Sequence, residues 1–325
     1  MLAAGCTPAL PLILGLAPMV HVITPLPTEA TRDEIILLAG PRLIGLLFNW
    51  GFLGILTAQV YVYHVNFPKD KCILKVIVYV VYLLDWAQTC SATYDACQWF
   101  VYNWGVVPAL YLRYTGFLNI PLLSSLIGAI VQIFYGWRIW ILSGSKIFFV
   151  LICVLAFVQL GGGIATAFYM FNDPSELARD SHMVRAVGVR MGGTALVDTV
   201  ISIAMTYYLL RGRVRALGPL NNIMSRLIRL TMETGTIVVV FALLDLVLYL
   251  EEHNTLHQAF GVVLGKLYSN SLLVLFNNRL VDWNKSEGVD LSDEEVAGPV
   301  LSLRLSPRQE RSTSTGTPSI TDSEK

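Results

Sequence analysis

Charge is scarce in this sequence: Asp, Glu, Lys and Arg together make up 14% of 325 residues, against about a quarter in soluble domains. The net charge is zero, so there is no basic surplus of the kind a nucleic-acid surface needs. Cysteine is sparse as well. Cys6, Cys72, Cys90, Cys97 and Cys153 are odd in number and form no Cys-x-x-Cys, which removes the thiol-redox and zinc-knuckle readings and leaves small hydrophobes in apolar surroundings. The glycine runs, Gly161 to Gly163 and the Gly192-Gly193 pair, have no following lysine and no strand-to-helix turn, so they do not cradle phosphate. They mark places where helices approach closely or bend.

What the chain has in abundance is apolar length. Hydrophobic residues reach 54% and the mean hydropathy is +0.59, which fits hydrocarbon as the solvent. A bilayer core of about 30 Å takes about 20 apolar residues in helix, because the backbone must bond within its own segment. Seven stretches meet that length, at residues 44–63, 73–93, 120–141, 147–171, 189–210, 230–250 and 256–276. The fold class expected is therefore all-α, an integral membrane bundle of seven transmembrane helices.

Three regions follow. Residues 1–43 form an apolar, Pro-rich N-terminal tail, 44–280 the seven-helix domain, and 281–325 a Ser/Thr-rich tail expected to be disordered. Pro8, Pro11, Pro18, Pro25 and Pro27 argue against a span in the first region. It also lacks the basic start of a secretory signal.

Lys and Arg set the orientation. One set of helix ends carries Lys69, Lys71, Lys75, Arg138, Lys146, Arg211, Arg213, Arg215, Arg226, Arg229, Arg279 and Lys285. The opposite set carries Arg32, Arg42, Arg113, Arg179, Arg185 and Arg190. This bias of about two to one places the N-terminus outside and the C-terminus in the cytoplasm. Trp99, Tyr102, Trp104, Trp137 and Trp140 fall at span ends and read as interfacial anchors.

Ionisable groups at membrane depth cost about 2.5–3.5 kcal/mol on insertion scales, so those retained turn inward and find partners. Gln59, Asp85, Gln132, Asp198, Asp245, Lys266, Tyr268 and Asn270 form the expected intramembrane polar network, with Gln159 and Glu233 also at depth. Lys266 is the single lysine deep in a span, and both Asp245 and Asp85 are candidate partners. A Schiff-base lysine carrying retinal is the sharper alternative, but no cofactor is expected. Arg138, Arg211, Arg213, Arg215 and Arg279 form a basic cytoplasmic face. His253 and His257, four residues apart beside Glu251 and Glu252, are weak metal candidates, since a catalytic zinc site wants a third ligand and a base.

Three strings carry a resemblance: QVYVYHVNFPKDKCILK from Gln59, VQIFYGWRIW from Val131 and KLYSNSLLVLFNNR from Lys266. Together, over residues 45–279, the chain resembles a large fungal (basidiomycete-type) family of multi-pass membrane proteins catalogued only as a domain of unknown function. Gln59, Tyr61, Phe67, Pro68, Asp70 and Lys75 match one of its motifs, and Lys266 through Leu273 with Asn277 and Arg279 match another. Phe276 stands where the family usually has Leu. The resemblance implies architecture and no activity. Within the first motif, Pro68 ends a helix and Asp70 is placed to cap the next.

Receptor-like sensing ranks first among the functions, on seven spans, an outer N-terminus, a basic loop after the fifth span and a phosphorylatable tail. A small-solute or ion transporter using the intramembrane carboxylates is the alternative. A metal-dependent membrane hydrolase built on the His pair is remote, and the chain is not expected to be an enzyme. The expected partners are the lipid bilayer, a small-molecule ligand and a cytoplasmic signalling protein, with no nucleic acid; the location is the plasma membrane or an endomembrane.

Overall fold

The computed structural model describes residues 29, 31–175, 180–215, 220–250 and 256–278, with the helical residues among 212–234 described by their backbone alone. Seven long helices fill this range: α1 (Arg32–Asn66), α2 (Cys72–Cys97), α3 (Ser125–Ser143), α4 (Lys146–Asn172), α5 (Ser181–Arg215), α6 (Leu220–Leu250) and α7 (Leu256–Asn277). Among the described residues there is no strand, only one isolated bridge between Leu112 and Ser175. Six of the helical runs are long and apolar enough to cross a membrane, while α6 contributes a shorter apolar stretch, Gly235–Leu250. The chain is thus read as a multi-pass membrane protein.

Capping chemistry decides where α1 starts. Thr31 Oγ1 accepts from Glu34 N and Glu34 Oε2 accepts from Thr31 N at 2.9 Å, a capping box. The helix therefore begins well before Ile44, and the end of the stretch expected to be a tail is helical, with Pro41 accommodated inside it. Pro121 falls in a π-helical turn, Leu118–Ser124, that leads into α3. A residue without a backbone donor is tolerated where the ladder is already widened. A second π turn, Gln98–Tyr102, ends α2, and the short helix Val107–Leu110 lies in the connection that follows.

Consecutive helices pack against one another, and α7 closes the ring on α1. These two run parallel: Arg42 meets Gln258 at one end and Asn277 Nδ2 donates to the Gln59 carbonyl at 2.8 Å at the other. Close approach comes from Gly45, where an added Cβ would lie 3.1 Å from Ala259 Cα. α3 and α7 are the most enclosed of the spans, and the outer helices carry the lipid-facing surface. On α4, for example, Val150, Val154, Phe157 and Phe168 are all exposed. One half of the interior is filled by an apolar cluster that includes Leu56, Val60, Tyr63, Val81, Ile127, Phe134, Leu272 and Phe276.

At the α1–α2 turn Asp70 departs from its expected role. Its Oδ2 accepts from Tyr63 Oη at 2.9 Å and its Oδ1 from Lys71 N at 3.0 Å, while the capping position itself is Lys71, with no side-chain cap. The carboxylate ties the turn back to α1 because the buried Tyr63 hydroxyl at the helix end needs an acceptor.

Candidate functional site

The polar residues expected as one network separate into three groups. In the first, Lys266 on α7 donates to Asp85 Oδ1 at 2.8 Å and to the Asp85 carbonyl at 2.7 Å, with both side chains 0% exposed. Of the two candidate partners the structure selects Asp85, because α2 faces that side of α7 while Asp245 stands over Gly261, more than a turn away along α7. Thr89 Oγ1 also donates to the Asp85 carbonyl, at 2.9 Å. Nearby, Gln88 Nε2 donates to Ser124 Oγ at 2.7 Å. Lys266 lines neither cavity described below.

The second group is a relay through four helices. Thr194 Oγ1 on α5 donates to Gln159 Oε1 on α4, and Gln159 Nε2 donates to Gln132 Oε1 on α3 at 2.6 Å. Gln132 Nε2 then donates to Asp198 Oδ1 on α5 at 2.8 Å, and Asp198 Oδ2 takes a short hydrogen bond from Tyr268 Oη on α7. In the apolar interior such a chain holds its members only if each is satisfied. Gly193 and Gly128 give it room, since an added Cβ would lie 3.0 Å from Gln159 Cβ and 3.3 Å from the Tyr268 ring respectively. A small void of about 40 Å³ lies beside Asp198 and Tyr268.

The third group surrounds a cavity of about 390 Å³ at the end of the bundle where α1 begins. All seven helices, or for α3 the π turn leading into it, contribute to its wall. Arg190 on α5 and Asp245 on α6 line it, 7% and 3% exposed. They are close enough for their charges to interact. Arg42 lies over the Trp99 ring at 4.2 Å and donates to the Leu110 carbonyl at 2.6 Å. Trp99, 9% exposed, donates its indole N–H to the Leu112 carbonyl at 2.8 Å. It is a cavity wall and not the interfacial anchor that its position at a span end suggested, because the cation above it and the folded-back connection bury it. Tyr102 and Trp104 do stand exposed. Behind the rim Asp95 Oδ1 accepts from Thr115 N and Oγ1 at 2.6 and 2.8 Å. In that connection burial, and then the charge of Asp95, push the Tyr114 hydroxyl above its usual pKa.

The remaining candidates fall elsewhere. Asn270 Nδ2 donates to the Lys266 carbonyl at 2.8 Å and the Phe52 carbonyl at 3.3 Å, tying α7 to α1. Gln59 meets Asn277 through its backbone, apart from the three groups. Arg138 has Nη1 buried without a partner among the described residues, and Arg211 is exposed. The side chains of Arg213 and Arg215 lie outside the described residues, as do Glu233, Arg279 and His253. His257 lines the cavity, its ring 5.4 Å from Tyr249. No group of three metal-ligating side chains occurs among the described residues.

Sequence reasoning missed Arg190 as a site residue, because it counted only as an outer loop charge. It also missed Gln88, Thr89 and Thr194. A signal existed: Arg190, Thr194 and Asp198 recur every four residues on one face of α5.

Residues 194–280 match a family of unknown function, DUF6534. The match takes in Asp198, Asp245, Lys266, Tyr268 and Asn270, and leaves α1 to α4 and Arg190 outside. No curated protein and no solved structure matches the chain.

Proposed function

We propose that this protein is a seven-span, receptor-like membrane sensor whose small-molecule site is the cavity among the helix ends, with the N-terminus outside and the C-terminal tail in the cytoplasm. The observation that carries this is the placement of that cavity directly above the buried relay. Arg190 is in its wall, Thr194 one turn deeper on α5 has its one hydroxyl proton within reach of both Gln159 Oε1 and the Arg190 carbonyl, and Asp198 one further turn down meets Gln132 and Tyr268. A ligand that moved α5 against α4 or α7 would have to re-form these bonds, and hydrogen-bonded interiors shift between discrete arrangements. The far half of the interior is filled by apolar side chains, which suits a ligand that enters and leaves on one side.

Seven spans are supported by the parallel run of α1 and α7, which requires an even number of chain reversals between them. The outward orientation of the cavity rests on the Lys and Arg distribution. Transport is the second reading, favoured by the small void beside Asp198 and Tyr268, which lies deeper than the cavity and is lined by the relay residues Gln132, Asp198 and Tyr268.

The discriminating experiment places fluorescent donor and acceptor groups in the α5–α6 connection and after residue 280, in cells exposed to fractionated small molecules. A sensor gives a ligand-dependent change in energy transfer that Asp198→Asn alters. Accumulation of labelled solute without such a change would replace sensing by transport.

A further inference from the structure

Within that cavity, two opposite charges remain uncommitted. Arg190 Nε and Asp245 Oδ1 have no hydrogen-bond partner among the described residues, and the two side chains interact through their charges without an ion pair or hydrogen bond between them. The other charged groups of the wall have partners, Arg113 and His257 included. Arg42 holds the Leu110 carbonyl and the Trp99 face, Asp95 holds Thr115, and Glu34 caps α1. Buried charges are retained against their desolvation cost only where something compensates them. Packing places Asp245 where it is: an added Cβ at Gly261 would lie 3.5 and 3.7 Å from its carboxylate oxygens, so a bare backbone of α7 backs it.

A ligand with one charge fits this pair poorly. An anion on Arg190 would meet the Asp245 field, and a cation on Asp245 would meet the Arg190 field. A molecule bearing both charges close together satisfies both at once. The guanidinium takes a carboxylate in its planar fork, and the aspartate takes an ammonium. Much of the rest of the wall is apolar and adaptable, with Met170, Met183, Met191 and Val262. The volume, about 390 Å³, sits at the small end of ligand pockets, roughly 300–1,000 Å³.

We infer that the cavity binds a small net-neutral zwitterion with an apolar body, an apolar α-amino acid in chemical type, with its carboxylate on Arg190 and its ammonium on Asp245. This rests on the cavity being the ligand site of the proposed sensor, yet it is tested by binding alone.

The full chain is purified into lipid nanodiscs and titrated calorimetrically with L-leucine, L-phenylalanine and L-methionine, then with their N-acetyl and methyl-ester derivatives. At least one free amino acid is expected to bind saturably, and removing either charge weakens it by about tenfold to a hundredfold. Arg190→Gln weakens the free amino acid while its methyl ester is unaffected, and Asp245→Asn weakens the free amino acid while its N-acetyl form is unaffected. If either variant fails to fold, the derivative series on the unaltered chain still decides. Failure of all three amino acids to bind at millimolar concentration, or equal binding of parents and derivatives, overturns the zwitterion. Binding without any change in the energy-transfer reporter keeps it and removes the sensor.

Discussion

The ammonium of Lys266 lies 2.8 Å from Asp85 Oδ1 and 2.7 Å from the carbonyl oxygen of the same residue. One cation from α7 therefore neutralises a side chain of α2 and also engages the backbone that carries it. The pair is fully enclosed, so solvent screening does not weaken it. Its removal by halves and its removal as a whole should differ sharply.

Lys266→Met leaves a buried carboxylate without its cation, and a loss of about 3–5 kcal/mol is expected. Lys266→Met combined with Asp85→Leu should recover most of that loss, because no charge is then stranded. Unfolding midpoints in mild detergent compare the three proteins. Equal stability of the single and double variants would show that the pair is not what holds α2 to α7.

At Tyr268 the hydroxyl completes the relay by bonding Asp198. Tyr268→Phe keeps the ring and deprives the buried carboxylate of one donor, at an expected cost of about 1–3 kcal/mol. Gln132→Leu removes both the Asp198 donor and the Gln159 acceptor and should cost at least as much. The two effects are expected to be non-additive in a double-mutant cycle, since they act on one carboxylate; strict additivity would mean that the relay does not behave as a unit.

The three consecutive glycines of α4 are not equivalent. An added Cβ at Gly163 would lie 2.5 Å from the Pro121 carbonyl oxygen and from Ser125 Oγ, whereas at Gly161 nothing lies within 4 Å. Gly163→Ala should lower the melting temperature clearly by forcing α4 from the π turn. Gly161→Ala should be neutral or stabilising, by up to about 1 kcal/mol in helix propensity. Matched melting temperatures for the two variants would contradict the close approach.

Topology can be read independently of function. Reporter tags placed before Arg32 and after residue 280 are expected in opposite compartments, the first outside and the second cytoplasmic. Both tags in one compartment would rule out an odd number of spans.

Much of the architecture was legible because hydrocarbon imposes a length. Six of the seven expected stretches coincide with helices long and apolar enough to cross a bilayer, and the remaining one falls on α6, whose apolar part among the described residues is the shorter Gly235–Leu250. A lone lysine among apolar residues likewise required a buried acceptor before any contact was known. Which acceptor was not legible. In lipid both faces of a helix are apolar, so the pattern that tells inside from outside in a soluble helix is faint, and Asp85 and Asp245 looked alike. Only the packing of α2 and α6 around α7 separated them, giving Lys266 to Asp85 and Asp245 to the cavity. Arg190 shows the same limit: as one more basic residue near a helix end it reported on orientation. It became a cavity residue because the close approach of α4 at Gly162, where an added Cβ would lie 2.8 Å from Arg190 N, turns that part of α5 into the bundle. The sequence by itself determined that several long stretches of the chain enter apolar solvent and that the charges within them must be compensated. Tertiary structure decided which charges meet and which stay open, because that depends on the rotation of each helix about its own axis, and neighbouring helices set that rotation.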